Sequence, residues 1–448
     1  RIKEQSVTYF FETYGCQMNI AESAALQMIL KERGWQEAGS AEKADLILLN
    51  TCSVRATAEK RVMGRLAQYQ AEKRQRPFTL IVAGCMAERL GDKLKEKIPA
   101  VDYVMGTQSR SLFPLILDAV EGGKPLVHTD EKPAFSFSSS HLEEGQFRSF
   151  VPIMHGCNNF CSYCIVPYVR GREISRDPQS IVDEIHLLAD RGVREITLLG
   201  QNVNSYLWKQ GAQSLDFPAL LELVATTVEQ TPIRWVRFLS SHPKDLSSEA
   251  IQVMARHRVF ARHLHLCVQH GSDRILSAMN RRYTRSRYLE LVQEIRTAMP
   301  DISLSTDILI GFPGETEEDV QATLSLMEEV KFLYSYMYHY NPREGTAAYE
   351  LPDRIPEPVK KERLGRVIEL QKQHTKAQLK NRIGKKTTIL LEGISRKNAD
   401  ELLGRTERDE MVVVPGSPQY IGTFVEVTLS SLRGNTFHAK EFVPCRDA

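Results

Sequence analysis

The sequence predicts an α/β chain in three parts: an N-terminal open parallel α/β sheet, a central partial (β/α)6 barrel and a small C-terminal antiparallel β-barrel. Three observations predict it. Short β-branched and aromatic runs alternate with helical stretches over the first 120 residues. The alternation resumes after a polar, turn-rich stretch and yields six further strands. Beyond Pro356 a basic helical stretch leads into short β-type runs punctuated by Gly, Pro and Asn.

In the first part, strands are expected at 6–12, 44–49, 78–83 and 101–105, with helices at 21–33 and 57–73. Strands separated by helices imply parallel pairing through right-handed crossovers. Cys16, Cys52 and Cys85 each fall just past the carboxyl end of one of these strands, the edge where ligands bind in open α/β sheets. The bland reading is three small buried residues. One placement occurring three times points instead to three thiols converging on one site.

Residues 120–147, with Gly122, Gly123, Pro125, Pro133 and SFSSSHLEEG, read as a linker. Strands then fit 148–154, 195–199, 235–239, 263–268, 303–310 and 333–340, and helices 178–191, 218–229, 246–257, 285–298 and 317–330. Six strands fall short of the eight that close a barrel, whose chemistry sits at the carboxyl-end loops. Those loops carry GQNVNS, SSHP, VQHGS and IGFPGE. In the last, Thr316 and Asp319 fit a capping box, and the glycine pair alone reads as a tight turn.

Residues 360–386 hold ten Lys or Arg against two acids, Glu362 and Glu369, which suits either a solvated face or one turned to phosphates. Arg281, Arg282, Arg285 and Arg287, with Tyr283 and Tyr288 among them, form a second basic cluster suited to unpaired bases. TTILLEGIS, MVVVPG and YIGTFVEVTLSSL are the strands of the last part. Expected boundaries are 4–121, a linker at 122–146, 147–376 and 379–445.

Composition is ordinary: 42% hydrophobic, 25% charged and a net charge of +2, which does not itself imply nucleic acid. No run of about 18 apolar residues predicts a membrane span. The start, RIKEQSVTYFF, has no apolar signal core and no Met, as expected after a trimmed leader. Eight cysteines in 448 residues are too sparse for a disulfide scaffold and suit metal binding in a reducing cytoplasm.

The stretch HGCNNFCSYCIVPYVRGR places Cys157, Cys161 and Cys164 within eight residues, spaced C-x3-C-x2-C. One loop can wrap three such thiolates round one metal centre. Three ligands leave a position open that a structural site would fill. Zinc with His155 as a fourth ligand is the competing reading, and a disulfide is disfavoured because three close thiols cannot all pair. Cys267 and Cys445 read as structural or incidental.

These motifs, with TYGCQMN, NTCSVR, LLGQNVNSY, LHLCVQHGSDRILSAMNRRYTR and TDILIGFPGETEED in order, resemble the radical S-adenosylmethionine (SAM) methylthiotransferases over nearly the whole chain. The resemblance implies a methylthiotransferase domain, a radical SAM core and an RNA-binding TRAM domain. It implies that Cys157, Cys161 and Cys164 hold a radical-generating [4Fe–4S] cluster and that Cys16, Cys52 and Cys85 hold an auxiliary one. Tyr163, Gly200, Gln201, Asn202, Ser240, Ser241, Gln269 and Asp307 lie where the family surrounds SAM. Arg170, Arg172, Arg281, Arg282 and Arg285 are expected to face RNA. His270 and Val169 depart from the serine and threonine expected there, away from the cluster ligands and free to tune SAM or RNA contacts.

The implied activity is transfer of a methylthio group to carbon 2 of N(6)-isopentenyladenosine at position 37 of the tRNA anticodon stem-loop. That aromatic C–H bond is neither acidic nor open to nucleophiles, and acid–base groups alone supply only about 10²–10⁴-fold. The implied partners are an electron donor such as a flavodoxin or ferredoxin and a sulfur donor. A cytoplasmic monomer is expected. Family members acting on threonylcarbamoyladenosine or on ribosomal protein S12 are the nearer alternatives, and a non-catalytic zinc-containing RNA-binding protein is the alternative of another class.

Overall fold

The computed structural model describes residues 7–53, 56–122, 135, 137 and 146–445. The expected linker at 122–146 lies outside them apart from Gly122, Phe135, Phe137 and Gln146. The chain divides into two compact units. One is Arg1–Glu143 with Phe150–Phe160 and Cys164–Arg176; the other is Glu144–Ser149 with Cys161–Tyr163 and Asp177–Ala448.

In the first unit, five strands run in the order Gln36–Glu37, Thr8–Thr13, Leu46–Thr51, Thr79–Gly84, Tyr103–Met105, and every pairing is parallel. The central strands read as unbroken apolar runs because both faces are buried. Ile47, Leu49, Leu80 and Val82 pack on one face with Val62, Leu66 and Tyr69 of the helix Ala56–Glu72. Leu46, Leu48, Ile81 and Ala83 pack on the other, with Leu26 and Leu30 of Gln17–Glu32 and Phe113, Ile116 and Leu117 of Phe113–Gly122. The pair Gln36–Glu37 was not expected, since both residues are polar and exposed.

The second unit carries the predicted barrel strands in two sets of three. Trp235–Phe238 and Glu195–Leu199 pair in parallel, followed by Arg148–Pro152 in the sheet order, whose first residues belong to this unit. His263–His265, Ser303–Ile310 and Tyr334–His339 form the other set, also parallel. Parallel bridges Val236↔Phe260 and Ser241↔Leu266 connect the sets. Helices begin where capping chemistry predicts. Thr316 and Asp319 form the expected capping box, and Asp177 accepts from the Ser180 N–H at 2.8 Å. A hairpin, Leu207–Gln210 with Gln213–Asp216, was not foreseen because most of its residues are exposed and its three apolar ones, Leu207, Trp208 and Leu215, do not alternate with polar ones along both strands.

The basic helix spans Glu357–Lys380 and stops short of residue 386, where Gly384 adopts φ +83° before the next strand. Its Gln371 and Thr375 bond the Phe332 and Leu333 carbonyls at 2.9 and 2.7 Å, which seats the helix along the last barrel strand. The C-terminal sheet has seven strands and is antiparallel except where Met411–Pro415 meets Thr436–His438 in parallel. It is anchored on the amino ends of the barrel strands. The Arg237 guanidinium donates to the Thr406 and Glu407 carbonyls at 3.0 Å each, Ser303 donates to the Arg408 carbonyl at 2.7 Å, and Trp235 meets Phe424 edge to face. The carboxyl edge of the barrel is thereby left for chemistry. Among the described residues, no helix is long and apolar enough to cross a membrane.

Candidate functional site

Cys16, Cys52 and Cys85 follow the carboxyl ends of three adjacent parallel strands of the first unit. Cys16 caps the helix Gln17–Glu32, and Asn19 Oδ1 accepts from its backbone N–H and its thiol, both at 3.3 Å. Asn19 in turn donates to Asn50 Oδ1 and the Thr51 carbonyl, and Asn50 donates back to the Asn19 carbonyl at 2.9 Å. This amide pair ties the Cys16 turn to the Cys52 turn. Two glycines make the approach possible. A Cβ on Gly15 would lie 2.9 Å from Cys52 Cβ, and one on Gly84 would lie 2.4 Å from both Asn50 Oδ1 and the Thr51 carbonyl. Cys85, 1% exposed, packs with Ile165 and Val169. Burial pushes its thiol up to about 12; Glu22, Cys52 and Cys16 add to this while Arg170 opposes it.

Arg170 and Glu22 are each 3% exposed and form a two-bond ion pair at 2.6 and 3.4 Å, with Arg110 at 3.6 Å from the same carboxylate. Burial alone would raise Glu22, but Arg170 and Arg110 outweigh it and hold the carboxyl at about 2. The Arg170 charge also acts on Cys85 and Cys16. A fixed buried cation acting on the Cys85 and Cys16 thiols suits a centre of net negative charge. Arg170 is therefore an internal ion-pair partner and not the RNA contact that sequence predicts. Val169 is buried in the same apolar group as Cys85, so the departure at this position is a core contact of the first unit.

In the loop after Met154–His155, Gly156 has φ +80° and its absent Cβ would lie 2.1 Å from the Arg172 carbonyl. The Cys157 N–H bonds the Gly171 carbonyl at 3.2 Å. His155 is 1% exposed, stacks on Phe135 at 3.9 Å and is driven down to about 3 by burial and then by Arg170. Arg172 is exposed and lies over the Phe160 ring at 4.6 Å. In the second unit, Ser162 is stitched to the Met279 carbonyl at 2.9 Å, and Tyr163 packs beside Ile275, Met279 and Phe312. Arg281, 4% exposed, donates to Cys161 Sγ at 3.3 Å and to the Cys267 carbonyl at 2.6 Å. This also corrects the sequence reading: Arg281 serves a thiol, not a phosphate. Arg282 is exposed, whereas Arg285 is engaged by Glu329 at 3.1 Å.

At the barrel's carboxyl edge, buried polar atoms lack protein partners: Asn202 Oδ1, both amide atoms of Asn204, Ser241 Oγ and His242 Nε2. Asn202 is held by Asp245 at 2.7 Å. Burial, then Arg281 and Lys244, lowers His242 to about 2, so its ring is neutral. Ser240 and Gln269 adopt φ of +66° and +68°, a strained backbone for such residues and characteristic of functional loops. Gln269 is set by backbone bonds to Asp307 and Leu309 at 2.9 and 2.8 Å. Gly200 and Gln201 lie in the same loop as Asn202. Asn204 and His242 were missed as individual residues, although GQNVNS and SSHP contain them. His270, by contrast, is fully buried, and its ring bonds Glu315 at 3.0 Å, so the departure at this position is a core contact.

Three family models match the chain in order: the uncharacterized protein family UPF0004 over residues 8–106, the radical SAM superfamily over 151–327 and the TRAM domain over 380–440. A tRNA-2-methylthio-N(6)-dimethylallyladenosine synthase of Treponema denticola is 51% identical, covering 97% of this chain and 99% of its own. One of Phocaeicola vulgatus is 42% identical over 96% and 95%. The chain belongs to the tRNA-2-methylthio-N(6)-dimethylallyladenosine synthase family. The radical SAM methyltransferase TsrM of Kitasatospora setae matches in fold, with a TM-score of 0.59 at 17% identity over 77% of each chain.

Membership of the radical SAM superfamily brings a [4Fe–4S] cluster and SAM. The residues present fit both. Cys161 has a buried cationic donor at its sulfur. The unsatisfied buried amide, hydroxyl and imidazole atoms at the barrel edge suit a ligand rich in polar groups, such as an amino-acid nucleoside.

Proposed function

We propose that the chain transfers a methylthio group to carbon 2 of N(6)-isopentenyladenosine at tRNA position 37, giving 2-methylthio-N(6)-isopentenyladenosine. The observation that carries this reading is the near full-length identity to relatives named for that product. Residues 4–121 act as the methylthiotransferase domain, 147–376 as the radical SAM core and 379–445 as the TRAM domain, joined by the linker at 122–146.

Cys157, Cys161 and Cys164 would hold the radical-generating [4Fe–4S] cluster, and Cys16, Cys52 and Cys85 an auxiliary [4Fe–4S] cluster. When bound, these groups and SAM supply the radical and methyl chemistry that side chains lack. The chain positions them. Arg281 and Arg170 each place one buried guanidinium by one thiol set. Asn202, Asn204, Ser241 and His242 turn unsatisfied polar atoms to SAM, with Tyr163, Gly200, Gln201, Ser240 and Gln269 shaping the same edge. The neutral His242 ring offers an acceptor or a single donor and adds no charge.

RNA meets the exposed side of the helix Glu357–Lys380. Lys372, Lys376 and Lys380 recur every fourth residue and, with Ile383, Leu432, Gly434 and Asn435, line a groove of about 420 Å³. Arg172 and Arg282 remain exposed for phosphates. The substrate adenine must leave the loop stack to be reached. An electron donor of the flavodoxin or ferredoxin kind and a sulfur donor complete a cytoplasmic system, with the chain acting as a monomer.

The test is anaerobic incubation of reconstituted protein with SAM, reductant, sulfide and tRNA, followed by mass spectrometry of the nucleosides. The methylthiolated nucleoside is expected with isopentenylated tRNA only. Product on threonylcarbamoyl-tRNA or on S12 alone would overturn the substrate.

A further inference from the structure

Three side chains inside the barrel of the second unit have no part in cluster binding: His265, Cys267 and Asp307. His265 ends the strand His263–His265, and Cys267 stands two residues on. Asp307 lies two residues beyond Ser305, the register partner of His265 on the neighbouring strand. The period of two along each strand therefore brings all three to one face. One nitrogen, one sulfur and one carboxylate oxygen lie within 4.8 Å of one another, with His265 Nε2 and Asp307 Oδ1 at 3.5 Å.

The surroundings resemble those of a metal ligand set. The other ring nitrogen of His265, Nδ1, meets Ser305 Oγ at 2.9 Å, and Ser305 Oγ meets His263 Nε2 at 2.8 Å. Such an outer contact fixes the orientation of a metal-binding imidazole and turns its free nitrogen to the ion. Arg281 directs its donors to the Cys267 carbonyl, Cys161 Sγ and the Tyr283 hydroxyl, not to Cys267 Sγ. A thiolate and a carboxylate together match the charge of a divalent cation. One sulfur, one imidazole and one carboxylate suit zinc, whereas calcium and magnesium prefer oxygen alone. The Asp307 side chain keeps 28% of its exposure, so an ion can reach the donors.

We propose that His265 Nε2, Cys267 Sγ and the Asp307 carboxylate form a mononuclear zinc site, distinct from both cysteine triads, with a fourth position open to a small exogenous ligand. Asp307 then serves the ion and not SAM. The site goes beyond the methylthio-transfer reading and is tested without it.

The experiment uses holoenzyme whose iron and sulfide contents are already complete, so that neither cysteine triad can capture the probe. Zinc is added anaerobically in the absence of SAM and tRNA, excess is removed, and bound zinc is counted and examined at its X-ray absorption edge. The expected result is about one zinc per chain with one sulfur at about 2.3 Å and nitrogen or oxygen at about 2.0 Å. Cys267→Ala and His265→Ala should abolish retention, and Ser305→Ala should weaken it by about 10–100-fold. Cys267→Ser, nearly isosteric, guards against misfolding: with circular dichroism and cluster absorbance unchanged it should still lose the sulfur scatterer and the ion. Zinc retained by well-folded Cys267→Ser, a shell of two or more sulfurs, or no zinc retained by the wild type would each overturn the proposal.

Discussion

Glu22→Gln tests whether the buried ion pair organises the first three-cysteine site. In the wild type, Arg170 and Arg110 hold the Glu22 carboxyl at about 2 against an ordinary 4.5. At 1.36 kcal/mol per pKa unit that difference corresponds to about 3 kcal/mol favouring the charged form in the fold. The same magnitude follows from structure: breaking a buried pair by removing one charge costs about 3–5 kcal/mol, and here it leaves Arg170 beside Arg110 with no anion. The sign in pH follows from the lowered carboxyl. Its stabilisation is complete above pH 4.5 and is lost as pH falls towards 2. The assay is anaerobic urea unfolding of holoprotein at pH 7, read by circular dichroism. With a slope of about 3 kcal/mol/M, the transition of the first unit should move down by about 1 M in Glu22→Gln. A midpoint within about 0.2 M of wild type would refute the reasoning.

Gly156→Ala places a Cβ 2.1 Å from the Arg172 carbonyl at a φ of +80°, so the loop must move; iron content should drop from about eight to about four per chain. Ser241→Ala removes a hydroxyl that has no protein partner, so thermal stability should hold while SAM affinity, read by calorimetry, falls about 5–10-fold. Replacing Lys372, Lys376 and Lys380 together with Ala should weaken tRNA binding and flatten its salt dependence by about 2–3 in log–log slope, measured by filter binding, with SAM affinity unchanged.

Much of the fold was legible because burial on both faces writes itself as apolar runs and helix starts write themselves as caps. Glu195–Leu199, Ser303–Ile310, Arg285–Ala298 and Glu317–Val330 form with the expected limits. The strands ending near Cys16, Cys52 and Cys85 also stand where alternation places them, which is why their convergence could be anticipated. What escaped was partnership. Arg170 and Arg281 read as surface cations among other basic residues, and nothing local in sequence names Glu22, 148 residues away, or Cys161, 120 residues away, as their partners. Cys267 was set aside for the same reason, since His265 is two residues off but Asp307 is reached only through strand register. The hairpin at Leu207–Asp216 lacked the apolar alternation that marks a half-buried strand. The C-terminal sheet showed its longer apolar runs, and a three-residue strand such as Thr436–His438 carried no comparable signal.

The most direct test of the central claim, that two separate three-cysteine centres divide the chemistry, is nucleoside and nucleoside-fragment mass spectrometry on Cys85→Ala with isopentenylated tRNA. The predicted result is 5′-deoxyadenosine formed from SAM, with no 2-methylthio-N(6)-isopentenyladenosine, while Cys157→Ala forms neither. Methylthiolated nucleoside produced by Cys85→Ala at the wild-type level would contradict the division of labour between the two sites.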